Sequence, residues 1–273
     1  MHAMLFLALA ACEAEMPCNG STGICHKRLN EITVAGAHNA MASADAGFFP
    51  PNHNLGIAAQ LRGGIRGLNI DLYRFEDTVY MCHFDCALGK TPLLDGLKTI
   101  DSFLMENPRE MIVITFQSGL DADSVMAVFE ESGLISRLHE QELGTPWPTI
   151  ESLIEAEKNI VVFSDREGGQ HGGYHDQWTY WIDNPYQATE LDEFSCIPDR
   201  GNSDTATLYN INHFITDPIA FESRATDANA FEILEEHAYR CMEETGFFPN
   251  QILVDFWSIG GLISLVDQLN ELE

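Results

Sequence analysis

Residues 91–116 read TPLLDGLKTIDSFLMENPREMIVITF. Leu93, Leu94, Leu97, Ile100, Phe103 and Leu104 recur at the helical period, and Pro108 stops the run. MIVITF (111–116) follows as a continuous apolar stretch, the pattern of a buried strand. The same alternation extends both ways. Upstream, ITVAGA (32–37), LNIDLY (68–73) and TVYMCHF (78–84) read as strands. Downstream, DADSVMAVFEESG (121–133) is a helix with an Asp-rich start and a Gly stop, and a further helix precedes the strand NIVVFSD (159–165). ATLYNINHF (206–214) is a strand, residues 228–245 a helix, and NQILVDFW (250–257) the last strand. The expected fold class is α/β: a (β/α)8 TIM-type barrel, with room for distortion, in one domain over residues 26–273. A doubly wound open sheet is the alternative, but neither GxGxxG nor GxxxxGK[ST] occurs.

The bulk properties suit such a domain. The 273 residues are 45% hydrophobic and 21% charged, which excludes a disordered or collagen-like chain. Acidic residues number 42 against 14 basic ones, a net charge of −28. A surface of that sign repels nucleic-acid phosphate, so no nucleic-acid partner is expected. It equally disfavours docking on anionic lipid through a basic patch.

Residues 3–11 (AMLFLALAA) are too short to span a bilayer and match the apolar core of an export signal. The run ends Leu9-Ala10-Ala11-Cys12, which resembles a bacterial lipobox. The expectation is a lipoprotein-type signal at 1–11 with Cys12 lipidated, giving a cell-envelope protein; a plain signal peptide and a secreted protein is the alternative. Residues 12–25 read as a linker or cysteine staple. Six cysteines then remain, and proximity suggests the pairs Cys18–Cys25, Cys82–Cys86 and Cys196–Cys241. A zinc site is disfavoured because no CxxC pair occurs.

In a barrel, chemistry sits at the C-terminal ends of strands. His38-Asn39 follows the first strand; Asn69 and Asp71 lie two apart in the second and so share a face. His83 follows TVYMC, Gln117 follows MIVITF, and Asp165-Arg166 follows NIVVFS. Asp255 in the last strand is either a structural inward polar group or a site carboxylate near His38.

AGAHNAMAS (35–43), QLRGGIRGLNIDLY (60–73), MCHF (81–84) and DSFLMENPREMIVITF (101–116), in that order and spacing, resemble the X-domain superfamily of phosphatidylinositol-specific phospholipases C. PNQILVDFW (249–257) looks like its final strand. The lead CNGSTGICHKRLNEIT (18–33), the tract WPTIESLIEAEKNIVVFSD (147–165) and the cysteines Cys196 and Cys241 look closest to its secreted or anchored branch. The resemblance covers about residues 25–260 and implies a barrel phosphodiesterase that acts on a phosphoinositide or an inositol-phosphate-linked lipid. It implies a general base at His38 and a general acid at His83, because a ring hydroxyl attacks the adjacent phosphorus and the leaving oxygen needs a proton. Imidazole suits both tasks near neutral pH. Asp71 is a third catalytic candidate, as a carboxylate orienting an imidazole.

Developing phosphoryl charge needs a positive counterpart. Animal relatives hold Ca²⁺ there with an Asn, two acidic positions and a Glu; metal-independent bacterial relatives place an Arg on the second strand. Here Asn39 and Asp71 agree with the first pattern, while the other positions read Asn69 and Gln117, and Asp71 stands where the Arg would be. A weak Ca²⁺ site of Asn39, Asn69, Asp71 and Gln117 is one expectation. The other is a metal-free site with Arg166 as the cation; Arg74, three residues past Asp71, points to the opposite face. Arg166, Asp165 and Asp255 are the substrate-binding candidates. The segment SDREGGQHGGYHDQW (164–178) is either a loop over the barrel mouth or a recognition loop, and His171-x-x-x-His175 binds metal only if helical, which its glycines oppose. Trp178, Tyr180, Trp181 and Tyr186 are core or pocket lining. The expected partners are a phospholipid or inositol phosphodiester substrate and a membrane surface reached by the lipid anchor, with the chain as a monomer. Alternatives are a sphingolipid or glycerol phosphodiester as substrate, or a binding protein that has lost its activity.

Overall fold

The computed structural model describes residues 16–216 and 218–272. The signal read at 1–11 and the lipidation site Cys12 lie outside them. The strands are β1 (Val34–Ala37), β2 (Gly67–Phe75), β3 (Thr78–Met81), β4 (Thr91–Pro92), β5 (Ile112–Ser118), β6 (Ile160–Ser164), β7 (Tyr174–Asp176), β8 (Trp181–Asp183), β9 (Arg200–Gly201), β10 (Leu208–Asn212) and β11 (Pro249–Val254). The α-helices are α1 (Ile57–Arg62), α2 (Leu93–Glu106), α3 (Ala122–Ser132), α4 (Ile150–Glu155), α5 (Gln177–Tyr180), α6 (Glu222–Ala228), α7 (Phe231–Thr245) and α8 (Leu262–Asn270).

Eight strands run parallel in the order β7-β6-β5-β2-β1-β11-β10-β8, which is their chain order wrapped into a ring. This is the expected α/β barrel. Among the described residues no ladder joins β7 to β8, so the ring has a seam. The connection β6–β7 has no helix and β7–β8 only the single turn α5.

Alternation along each strand decides what faces the barrel axis. Leu68, Ile70 and Leu72 of β2 and Ile112, Ile114 and Phe116 of β5 belong to the large outer core under the helices. Leu93, Leu97, Ile100, Phe103 and Leu104 of α2 meet them there, one amphipathic face on one sheet face. The inward positions grade from apolar to polar. Val34, Val113, Val161, Phe163, Trp181 and Leu208 fill the bottom. Asn69, Asp71, Thr115, Asn210, Asn212 and Gln251 line the top. Gly36 and Gly67 make this possible, because a Cβ on Gly67 would meet Gln251 Oε1 at 2.6 Å and one on Gly36 would meet Leu253 Cδ2 at 2.7 Å.

All three expected disulfides are present: Cys18–Cys25, Cys82–Cys86 and Cys196–Cys241. Cys18 and Cys25 are buried with Leu29, Ile32 and Trp147 against the bottom of the barrel, so this segment is a staple. Cys196, Cys241 and His237 lie close together, but the two thiols are consumed by their bond.

Two elements depart from expectation. The run 78–84 is not a barrel strand: β3 ends at Met81 and pairs antiparallel with the overlong β2, Leu72 opposite Met81 and Phe75 opposite Thr78. The helix expected at 228–245 is α7, which starts three residues later at Phe231, while Ala228 ends the preceding α6. Between them Asn229 donates from Nδ2 to the Asp255 carbonyl and accepts from Gly261 N–H through its own carbonyl, which holds its backbone out of a continuous helix.

Candidate active site

The polar top of the barrel opens into a cavity of about 770 Å³. His38, Asn39, Asn69, Asp71, His83, Gln117, Asp165 and Arg166 all border it. Asp255 sits behind His38, 4% exposed.

His38 leaves β1 with its backbone N–H on the Val254 carbonyl, 3.0 Å away. Its Nδ1 lies 3.0 Å from Asp255 Oδ1, and its ring stacks on Phe214 with centroids 3.7 Å apart. With Nδ1–H donating to the carboxylate, the Nε2 lone pair faces the cavity. Asn39 adopts φ = 50°, a left-handed conformation that Asn tolerates better than most residues. That turn brings Asn39 Nδ2 to 3.0 Å from His38 Nε2 and 3.3 Å from His83 Nε2. The two imidazoles thus face one point from separate elements. His83 arrives there on the β2–β3 hairpin: β2 overshoots the barrel, turns at Glu76-Asp77, and β3 carries the chain back to the mouth.

The orienting carboxylate is Asp255, and no hydrogen bond joins Asp71 to either ring. Asp255 Oδ1 also accepts from Asn52 Nδ2 at 2.8 Å, while Oδ2 is buried with no hydrogen-bond partner among the described residues. His53, whose Nε2 lies 2.7 Å from the His38 carbonyl, fixes the backbone of the same turn. Burial pushes His53 down to about 4, so it is neutral and donates Nε2–H. Neither Asn52 nor His53 was marked by the sequence; the tract PPNHN (50–54) carries no periodic signal.

Burial also governs the other ionisable groups. It holds His83 down to about 4, with His38 adding repulsion and Asp255 opposing. It pushes Asp71 up to about 7, with the negative Asp165 adding to the rise and His38 opposing. Asp165 is likewise raised by burial, although it accepts from Ser118 N–H at 2.9 Å.

The four residues expected to hold a cation do converge. Asp71 and Gln117 are register partners on β2 and β5, and Asn69 lies one inward position below Asp71. Asn69 Oδ1 accepts the Asn39 backbone N–H at 3.2 Å. Asn39 Oδ1 and Asp71 Oδ1 are buried oxygens with no hydrogen-bond partner among the described residues. Hard oxygen donors of this kind suit Ca²⁺, and a single carboxylate among them makes for weak affinity.

Positive charge in the lining comes from three arginines, each with a carboxylate beside it. Arg166 is 73% exposed and its Nε lies 3.7 Å from Asp165. Arg200 forks onto the buried Asp183 and lies over the rings of Trp178 and Tyr186. Arg74 turns outward to Asp121 and Ser124. Trp178, Trp181 and Tyr186 border the cavity, whereas Tyr180 is core and donates to the Gln141 carbonyl. His171 and His175 are not a metal pair: His171 is held by Asp123, while buried His175 donates to the Val162 carbonyl and accepts from Gln141 N–H. Buried His213 bonds His237 and the Ala228 carbonyl, away from the cavity. Asn210 and Asn212 border the cavity and were missed, though their two-residue spacing in a strand repeats that of Asn69 and Asp71.

A family model described as PI-PLC X 1 matches residues 24–270. An uncharacterized secreted protein of Arthroderma benhamiae is 27% identical over 93% of the chain and 63% of its own length. A PI-PLC X domain-containing protein of Arabidopsis thaliana is 26% identical over 88% of the chain and 62% of its own. The chain therefore spans less than two thirds of these two relatives. The solved phosphatidylinositol-specific phospholipase C of Listeria monocytogenes superposes with a TM-score of 0.62 at 15% identity, covering 91% of this chain and 96% of that one. One from Staphylococcus aureus gives 0.63 at 16% identity, covering 91% and 95%. At these identities the two structures speak for the fold.

Proposed function

The chain belongs to the PI-PLC X family, and from that premise we propose that it is an exported phosphodiesterase acting on an inositol phosphodiester carried by a lipid. The observation that carries this reading is the single amide nitrogen of Asn39 within 3.3 Å of Nε2 on both His38 and His83. A phosphodiester bound in the cavity beside that amide has one ring on each side of the reaction. His38 Nε2 takes the proton of the ring hydroxyl next to the phosphate, and Asp255 stabilises the imidazolium that results. The hydroxyl oxygen bonds to phosphorus, the bond to the leaving alkoxyl oxygen breaks, and His83 supplies that oxygen's proton. The products are a cyclic phosphate and a free alcohol. Burial holds His83 neutral, and an anionic substrate beside it favours uptake of the proton it then delivers.

Asn39, Asn69, Asp71 and Gln117 would hold a divalent cation, which when bound supplies positive charge to the phosphoryl oxygens. The rest of the lining favours an unphosphorylated polyol. Asp183, Asn210, Asn212 and Gln251 form one hydrogen-bonded uncharged-to-acidic polar wall that suits hydroxyls better than phosphate, and each lining arginine already has a carboxylate beside it. Export accords with three disulfides and with the secreted relative.

The test is a panel of soluble phosphodiesters with inositol, choline and glycerol head groups, run with Ca²⁺ and with chelator. Release of cyclic inositol phosphate by the parent, and its loss in His38→Ala and His83→Ala, is expected. Turnover confined to another head group, or none with either additive, overturns the assignment.

A further inference from the structure

β10 runs on into His213 and Phe214, two residues that carry no proton in the proposed reaction. Alternation along β10 turns Asn210 and Asn212 to the cavity and Tyr209 and Ile211 to the outer core. Carried two residues past the strand, it turns His213 outward and Phe214 inward. The backbone keeps this alternation because His213 N–H donates to the Leu253 carbonyl at 2.8 Å, extending the β10–β11 pairing. The outward His213 ring is tied down. Its Nε2 donates to the Ala228 carbonyl at 2.8 Å, its Nδ1 lies 2.8 Å from His237 Nδ1, and the Phe194 ring packs on it with centroids 4.4 Å apart. Two residues beyond Phe214, Thr216 N–H donates to the Ala188 carbonyl. Phe214 is thus anchored on both sides. Its buried ring meets the His38 imidazole face to face, with centroids 3.7 Å apart and planes 7° from parallel.

Two contacts therefore fix His38: Asp255 holds an edge of the ring through Nδ1, and Phe214 holds a face. The edge contact alone leaves the ring free to tilt about its hydrogen bond, and a flat neighbour at van der Waals distance blocks that tilt on one side. The stack also has a charge preference. The face of an aromatic ring is the negative part of its quadrupole and attracts a cation, more strongly where water is excluded. A neutral imidazole gains dispersion there, and an imidazolium gains the electrostatic attraction as well. We propose that Phe214 is a positioning residue for the base: it holds the plane of His38 against Asp255 and favours the imidazolium that forms as the ring takes the substrate's proton. The inference rests on the role of base given to His38 above. The titratable groups facing His38 are Asp255 behind it, His53 under its backbone, His83 beyond Asn39, and Asp71 on β2. Asp255 and ionised Asp71 favour the charged ring, and the two histidines oppose it only when protonated. Phe214 adds its preference without bringing a further charge into the site.

The experiment compares the purified chain with two altered ones. Phe214→Leu keeps an apolar side chain and removes the aromatic face. Pentafluorophenylalanine incorporated at position 214 keeps the shape and reverses the sign of that face. Ring resonances of His38 in histidine-labelled protein, assigned by their loss in His38→Ala, report its proton affinity with no substrate present. Both altered chains are expected to bind that proton on the order of two- to tenfold more weakly than the parent, the fluorinated one at least as weakly as Phe214→Leu. Turnover of the soluble inositol phosphodiester should fall about tenfold in kcat with KM little changed. A weaker base stays unprotonated in more acidic solution, so the acid limb of the kcat/KM profile should move to lower pH. Parent-like titration in either altered chain overturns the inference, and a fluorinated chain that matches the parent while Phe214→Leu falls would show that shape alone suffices. Parent-like turnover in both chains, where the parent is active, overturns it as well. The two readings separate cleanly. Weakened proton binding in chains whose parent cleaves no head group keeps the stack and removes the chemistry. An active parent with unshifted titration in both altered chains does the reverse.

Discussion

Asp255 Oδ1 lies 3.0 Å from His38 Nδ1 and also accepts from Asn52 Nδ2, so one buried carboxylate fixes the tautomer of the His38 ring. Replacing Asp255 with Asn leaves the shape and removes the charge that stabilises the imidazolium. Turnover of the soluble inositol substrate should fall on the order of 10³-fold, with the fold retained by circular dichroism. Near-parent turnover in Asp255→Asn would break the link between this pair and the chemistry.

Asn52 is a positioning residue. Asn52→Ala withdraws a hydrogen bond from a buried carboxylate whose other oxygen already lacks a partner. The expected cost is about 1–3 kcal/mol in urea unfolding. A drop in kcat of roughly tenfold, larger than the change in KM, should accompany it because the ring of His38 is held less well. Asn52→Asp should be worse in both measures through like-charge repulsion. Equal stability for parent and Asn52→Ala would show that the contact carries nothing.

Asp71 sets a pH dependence of stability. Its folded value of about 7 stands above the ordinary 3.8, so the folded state binds the proton more tightly than the unfolded chain does. The contribution is fully present below about pH 4 and is lost as pH rises through about 7. Asp71→Asn should therefore match the parent near pH 4 and exceed it at about pH 8, by on the order of a few kcal/mol. Thermal melts in chelator at the two pH values measure the difference. A variant gain that is the same at both would contradict the sign.

His83 should couple anion binding to proton uptake. Burial and the neighbouring His38 hold it down to about 4 in the free protein, and a phosphate group beside it raises that value. Binding of an inositol monophosphate at roughly pH 6 should then consume protons, and affinity should weaken as pH rises. Calorimetry in buffers of different ionisation enthalpy reads the proton count. His83→Ala should reduce it clearly, and an unchanged count would place the proton elsewhere.

Much of this was legible because it is local. The apolar positions of α2 and the unbroken run of β5 announce their partners, and Asn69 and Asp71 share a face by simple alternation. What was not legible depends on distant contacts. TVYM has the composition of any strand, and only its antiparallel pairing with β2 shows that His83 rides a hairpin and not a barrel strand. The helix read from residue 228 begins only at Phe231, because the groups that claim Asn229 belong to residues 255 and 261. Asp255 has two possible roles in the sequence, and only the fold, by bringing the His38 ring against its carboxylate, decides between them. His53 drew no notice because its partner is a backbone carbonyl.

The hairpin has a consequence for how such a barrel diversifies. One imidazole is rooted in the ring of strands, and the other hangs from an appendage outside it. The spacing between them is therefore set by the register of β3 on β2, with Leu72 opposite Met81. A shift of β3 along β2 by a residue pair moves His83 while every inward side chain of the ring keeps its neighbours. Selection can thus refit the proton-transfer geometry to a bulkier or slimmer leaving group without disturbing the hydrophobic interior.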